Sequence, residues 1–459
     1  MNKKRTIAVG QVACFFCVAI ILLAFCSICL RFFARQVLVK RLQMENALIS
    51  TLFFDAQELM EENNGNKVEA DTILVDWQDM YPFYQSNAET IMGSEDTDSV
   101  ANHYYTLVLQ IENGLELYTS RYLVGYQKMV TMCRQYERLL RWNFASYSEY
   151  NGVITLNDGQ LTTFSTKKDV SGAAVATVDL AKECEEKEIK FLYVQIPTKI
   201  CKYDDTDISG KEDFSNQNAD AFLSILKENN VDYLDIRDLI HEQGLKHHAL
   251  FYVTDHHWRA ETGLWAAKQI IEYLNKQYDY QVDAEALNSD RFDAVVYSNW
   301  FLGSHGKKVT LASTKPDDFE LLYPKEKTDF RLVIPDKEID SKGDFSITYN
   351  MNSVEELDYY GKNPYGAYIH ANRPLEQIEN GLAENDLKAL VIHDSFGNCV
   401  IPFMAMEFKY MDALYLGKFT GSVQRYIEVT NPNIVIVMYY PDSLEDVDYQ
   451  THDGMCDFR

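Results

Sequence analysis

The chain has 459 residues, 46% of them hydrophobic, which is enough for one large packed domain or two modest ones. Its formal charge of −26 repels nucleic acid and anionic headgroups, so neither is an expected partner. Five cysteines lie beyond residue 30, at Cys133, Cys184, Cys201, Cys399 and Cys456; with no Cys-x-x-Cys pair or zinc-like spacing among them, they exclude a disulfide scaffold while leaving room for one or two bridges.

Residues 6–30 carry no charged side chain and are flanked by Lys3, Lys4 and Arg5 before and by Arg31 and Arg35 after. The run is long enough to cross a bilayer core of ~30 Å as a helix. It exceeds the usual apolar core of a cleavable signal peptide, about 7–15 residues, so an uncleaved anchor over residues 1–35 is expected. The basic flanks are balanced and do not set its orientation. Residues 36–64 and 98–146 show apolar side chains at helical spacing, which predicts a helical stalk or subdomain over 36–148. The pattern changes near residue 149. Residues 152–164 read as a hairpin turning at Asn157-Asp-Gly159. Helices are expected over 178–187, 219–228, 260–278 and 396–408. Strands are expected over 190–197, 231–236, 387–393 and 433–438, with an antiparallel insertion over 318–349. Alternation of this kind predicts an α/β domain over 149–459, with a mostly parallel sheet and helices on both faces.

Two loop ends carry the chemistry. Thr254-Asp-His-His-Trp258 leads into the helix at 260. Asp255 and His257 are two apart, so an extended loop points them to one side, where a carboxylate can orient an imidazole as a base. His256 is expected to point away. Val391-Ile-His-Asp-Ser-Phe-Gly-Asn398 runs from a buried strand into a helix, which puts Ser395 at the carboxyl edge of the sheet. Free N–H groups at that helix start can receive an oxyanion. A parallel sheet gathers both loops on one edge, and serine, histidine and aspartate together suit acyl transfer. For each loop taken alone, helix capping is the plainer explanation. A metal site using Asp255, His256 and His257, with His247 and His248, is disfavoured because three adjacent residues rarely ligate one ion well.

Asp255-His-His-Trp258, the later Asp394-Ser-Phe-Gly397 and the closing Tyr439-Tyr-Pro441 resemble the DHHW family. That family is similar to the SGNH-like proteins of bacterial polysaccharide O-acetylation. Trp77-Gln-Asp-Met-Tyr-Pro-Phe83, Gln195-Ile-Pro197 and Leu302-Gly-Ser-His-Gly306 extend the resemblance across about residues 70–445. Relatives often carry Gly before the Asp-Ser; here it is His393. The resemblance implies an SGNH-hydrolase-like three-layer fold with Ser395 as nucleophile, His257 as base and Asp255 as its orienting carboxylate. It makes Gly303 and Asn398 candidates for oxyanion or substrate binding, with no metal and no cofactor. It further implies a single-pass cell-membrane protein with its large domain outside. A membrane-bound acyltransferase would supply acetyl to a surface or wall polysaccharide. An esterase or deacetylase with the same residues, and a non-catalytic surface scaffold, remain the alternatives.

Overall fold

In the computed structural model, the residues described are 149–150, 152–203, 212–311, 313–444 and 454–459. The expected anchor and helical stalk, residues 1–148, lie outside them. Among the described residues no helix is long and apolar enough to cross a membrane.

The described residues open with three short antiparallel strands, β1 (Glu149–Tyr150), β2 (Val153–Thr155) and β3 (Leu161–Thr162), turning where Asn157-Asp-Gly159 predicts. Then come α1 (Ser171–Glu186), β4 (Lys190–Gln195), α2 (Ser215–Glu228), β5 (Tyr233–Asp235), α3 (Ile236–Glu242) and α4 (Ala260–Tyr278). The middle of the chain adds β6 (Phe292–Phe301), α5 (Ser304–Val309), β7 (Asp317–Pro324), β8 (Phe330–Ile334) and β9 (Ile339–Gly343). The remainder supplies β10 (Leu375–Asn380), β11 (Lys388–His393), α6 (Ile401–Met404), β12 (Tyr410–Leu414), α7 (Val423–Thr430) and β13 (Ile434–Tyr439).

Eight strands form one mixed sheet in the order β5-β4-β13-β11-β12-β10-β8-β9. The first five are parallel; β10, β8 and β9 extend them antiparallel. Strand β13 is apolar at every position, and β4 and β11 are apolar between their end residues, because both of their faces are covered. Val391, Ile436 and Val194 point into one core with Leu264, Ile270 and Ile271 of α4. Leu390, Ile392, Val435 and Val437 point into the other with α1, α2 and α7. This period-two division of one apolar run between two cores makes three layers.

The expected insertion at 318–349 divides between two sheets. Strand β7 pairs with β6 in a separate hairpin, while β8 and β9 join the main sheet. The helix expected over 396–408 is instead a 3-10 turn, Ser395–Cys399, followed by the single helical turn of α6. Pro402, at the start of α6, has no N–H to continue a ladder from the preceding turn, so the two pieces stay separate.

Helix α4 lies so close to the nucleophile turn that Gly263 is required. A Cβ there would sit 2.5 Å from the Cys399 carbonyl oxygen and 2.6 Å from its sulfur. Gly263→Ala should therefore destabilise the domain by about 1–3 kcal/mol, as overpacking against backbone does. An unchanged urea midpoint would show that the contact is not tight.

Candidate active site

Strands β11 and β13 run parallel, and the loop after β11 emerges beside the end of β13. Asp394 fixes its shape. The carboxylate accepts from the Phe396 N–H at 2.9 Å, from the Tyr440 N–H at 2.7 Å and from the Ser443 hydroxyl at 3.0 Å. One side chain thus caps the 3-10 turn and ties two strand ends together, leaving Ser395 half-buried at the sheet edge. His393 is buried, its Nδ1 2.8 Å from the Asp394 carbonyl. Gly397 makes room for it, since a Cβ there would come within 2.7 Å of the His393 side chain.

The loop before α4 meets this turn from the other side. Val253 and Thr254 donate their N–H groups to the buried Asp317 carboxylate, each at 2.8 Å, and the Thr254 hydroxyl adds a third bond at 2.6 Å. Trp258 is fully buried, and its indole N–H donates to the Phe396 carbonyl at 3.1 Å. That bond couples the histidine loop directly to the serine turn.

Between these anchors Asp255, His257 and Ser395 form a continuous chain. Asp255 Oδ1 accepts from His257 Nδ1 at 2.5 Å and from the His257 backbone N–H at 3.0 Å. Asp255 Oδ2 accepts from the Ser304 N–H at 2.6 Å. With Nδ1 donating, Nε2 is free to accept, and Ser395 Oγ lies 2.6 Å from it. Burial alone would push the Asp255 carboxyl up. The two imidazoles and the hydrogen bonds from His257 and Ser304 hold it well below its ordinary range, so it is ionised.

Both faces of the His257 ring are covered. Tyr365 stacks on one, with centroids 3.9 Å apart and planes 16° from parallel, and its hydroxyl donates to Cys399 Sγ at 3.2 Å. His256 covers the other at 3.8 Å. His256 therefore does not turn away as the alternation of an extended loop predicts. The loop bends, and His256 Nδ1 sits 3.1 Å from Ser304 Oγ and 3.5 Å from Asp255 Oδ1. Partial burial and the neighbouring His257 hold its imidazole neutral.

Of the two oxyanion or substrate-binding candidates, Gly303 has its N–H engaged within the fold. The Gly303 N–H donates to Thr254 Oγ1 at 2.9 Å and so is not free for an oxyanion. The role of Gly303 is close approach: a Cβ there would overlap Asp255. Asn398 is buried, and its amide donates to Asn372 Oδ1 at 2.9 Å. In the serine turn, the Phe396 and Gly397 N–H groups are taken by Asp394. The Ser395 N–H has no acceptor among the described residues, which leaves it as the backbone donor beside Oγ.

Ligand atoms of Asp255, His256 and His257 lie within 4.8 Å of one another. Both nitrogens of His257 are already committed, to Asp255 and Ser395. His247 and His248 are bonded elsewhere, to the carbonyls of Thr198 and Lys199 and to Asp158. The cluster is thus organised around a proton rather than an ion. Sequence reasoning missed Asp317, Ser304 and Tyr365. Of these only Ser304 carried a signal, through the Leu302-Gly-Ser-His-Gly306 block.

Residues 158–295 match the family model of the SGNH hydrolase-like domain of the acetyltransferase AlgX. The match takes in Asp255 and His257 and ends before Ser395. No curated protein matches the sequence. Among solved structures the chain is similar to PatB1 of Bacillus cereus, at 20% identity and a TM-score of 0.55, over 67% of this chain and 99% of PatB1. A second PatB1 structure, with a sulfonyl adduct, matches at the same identity and TM-score over 98% of its chain. A DHHW family protein from Eubacterium siraeum matches at 16% identity and a TM-score of 0.50, over 64% of this chain and 93% of that one. The fold is therefore SGNH-like α/β, and the chain resembles the DHHW proteins.

The staple at Asp394 has a pH signature. Burial pushes its carboxyl up from 3.8 to about 6, against the pull of the Tyr440 and Phe396 N–H groups and the Ser443 hydroxyl. The native chain holds this proton more tightly than the unfolded chain does. The stability it contributes is complete below the unfolded value and is lost as pH rises through the folded one. Asp394→Asn removes the titration. The wild-type advantage over the variant should therefore shrink, by on the order of 1–3 kcal/mol, between about pH 4 and pH 7. Urea unfolding at both pH values measures it, and a constant difference would contradict the assignment.

Proposed function

We propose that this protein is an O-acetyltransferase of a cell-surface or wall polysaccharide, working through an acetyl-serine on Ser395. The observation that carries the reading is the unbroken hydrogen-bonded chain from Asp255 through His257 to Ser395, within an SGNH-like fold. Serine is a weak nucleophile at its own pKa and needs an adjacent base, and the 2.6 Å separation of His257 Nε2 from Ser395 Oγ supports His257 in that role.

In the first half-reaction Ser395 Oγ attacks the acetyl carbonyl of the donor, and its proton passes to His257 Nε2. The ionised Asp255 steadies the imidazolium that forms. The Ser395 N–H is the donor positioned to receive the developing oxyanion. The tetrahedral intermediate collapses, His257 returns its proton to the leaving group, and the acetyl ester remains on Ser395. In the second half-reaction a sugar hydroxyl attacks that ester while His257 takes its proton. The same proton then returns to Ser395 Oγ as the acetylated sugar departs. The neutral chemistry of such an acceptor is compatible with the strongly acidic chain. The donor would be presented by a membrane-bound acyltransferase. Residues 6–30 would hold the domain beside it, outside the cell.

Ser395→Ala and His257→Ala should each lower acetyl transfer to an oligosaccharide by roughly 10³-fold or more, and the double variant should lose little further. The measurement is acetyl arriving on the sugar, followed by mass spectrometry, beside acetate release. Acetate release without any acetylated sugar would favour an esterase. Full activity in both variants would leave a scaffold. The anchor is tested separately: the full chain should stay in the membrane fraction through a salt wash, and a new N-terminus past residue 30 in the soluble fraction would exclude it.

A further inference from the structure

Beside Ser395 the described domain holds a polar cleft. His256 and His305 line it, together with the rings of Phe396 and Tyr440 and the hydroxyl-bearing side chains of Thr163 and Thr198. The two aromatic rings lie 5.0 Å apart and 32° from parallel. The two imidazoles are 5.8 Å apart, and His256 is also the ring that covers His257.

Both imidazoles are fixed by their Nδ1 atoms. His305 Nδ1 is 3.1 Å from the Leu161 carbonyl, which can only accept, so Nδ1 carries the hydrogen and Nε2 a lone pair. Burial pushes the His305 imidazole down to about 4, which keeps it neutral near pH 7. His256 Nδ1 faces Ser304 Oγ and the ionised Asp255, which likewise places the hydrogen on Nδ1. Neither Nε2 has a partner among the described residues. His305 is only 5% exposed, and its side chain lines the cleft.

We infer that this cleft is the acceptor subsite, and that His256 and His305 select a ring bearing neighbouring hydroxyl groups by accepting their hydrogens at Nε2. The inference rests on the acetyl-serine reading above. One hydroxyl of the ring attacks the ester at Ser395, while its neighbours donate to the two imidazoles. The aromatic rings of Phe396 and Tyr440 offer the apolar face of the sugar a surface. A water attacking the ester gives one hydrogen to His257 and has one left, and methanol has none, so neither can engage both acceptors at once, and this pair favours transfer over hydrolysis. A site that hydrogen-bonds a substrate hydroxyl discriminates strongly against molecules lacking it.

The test follows the fate of the acetyl group. The protein is acetylated with p-nitrophenyl acetate and offered water, methanol, or chitotetraose, xylotetraose and mannotetraose in turn. The wild type should pass acetyl to at least one of these sugars in preference to methanol at equal concentration. His305→Phe keeps the ring but loses the acceptor, and should lower the sugar-to-methanol ratio at least tenfold. His305→Gln, which returns an acceptor oxygen near the Nε2 position, should recover part of that loss. Urea unfolding of each variant separates this from a folding defect. If wild-type Ser395 forms no acetyl ester, the transferase reading fails. If the ester forms but no sugar is preferred to methanol, or if the ratio is the same in folded His305→Phe, the subsite is overturned while the acetyl-serine stands.

Discussion

A single buried carboxylate constrains the whole site. Asp255 is nearly inaccessible to solvent and ionised, and a buried charge survives only if it is paired and hydrogen-bonded. Its partners come from two separate parts of the chain: the N–H and ring of His257 two residues on, and the N–H of Ser304 at the start of α5. The Ser304 bond requires the α5 loop to lie against Asp255, and only a residue without Cβ at Gly303 permits that approach. The position of the His257 ring, the approach of residues 302–306 and the bend that lays His256 over His257 all follow from satisfying one anion.

A second carboxylate plays the matching part on the serine side. Asp394 receives two backbone N–H groups and a hydroxyl, yet burial still pushes its carboxyl up, because its bonds are to neutral donors. Asp255 has imidazoles beside it and moves the other way. The contrast separates orientation of a base from shaping of a turn. Two aspartates adjoin the same reaction centre, and the electrostatic surroundings of each determine what it contributes.

The layered fold was largely legible in the sequence, since short apolar strands alternate with amphipathic helices. The predicted bounds of α4, 260–278, coincide with those observed because its apolar face is regular throughout. Legibility failed where the signal is tertiary. Helix α1 starts at Ser171, ahead of the expected 178, because its first turn buries Ala173 and Ala174, small residues that give little periodic signal. The helix expected after Ser395 is broken by the Pro402 that sequence inspection passed over. The pairing of Ser395, His257 and Asp255 could be anticipated from two loop ends on one sheet edge. Tyr365 and Asp317 could not, because nothing in their local sequence separates them from ordinary core or turn residues.

The segment that delivers Tyr365 explains how such an unsignalled contact is kept. Ile369, His370 and Ala371 follow one another with φ of 36°, 53° and 67°, and none is glycine. Each left-handed residue of this kind costs about 1 kcal/mol or more, and a β-branched one is rare there. The strain is tolerated because the segment is held from both sides. Tyr365, Tyr368 and Ile369 are buried, and the Tyr365 hydroxyl reaches Cys399 in the serine turn. Just past the strained residues Asn372 accepts from Asn398 of the same turn. The chain must therefore reverse sharply between two fixed contacts, and the left-handed path is the one that fits. Stability given up in the backbone is recovered as a rigid aromatic face against His257, so the base is immobilised by packing on both sides as well as by its hydrogen bonds.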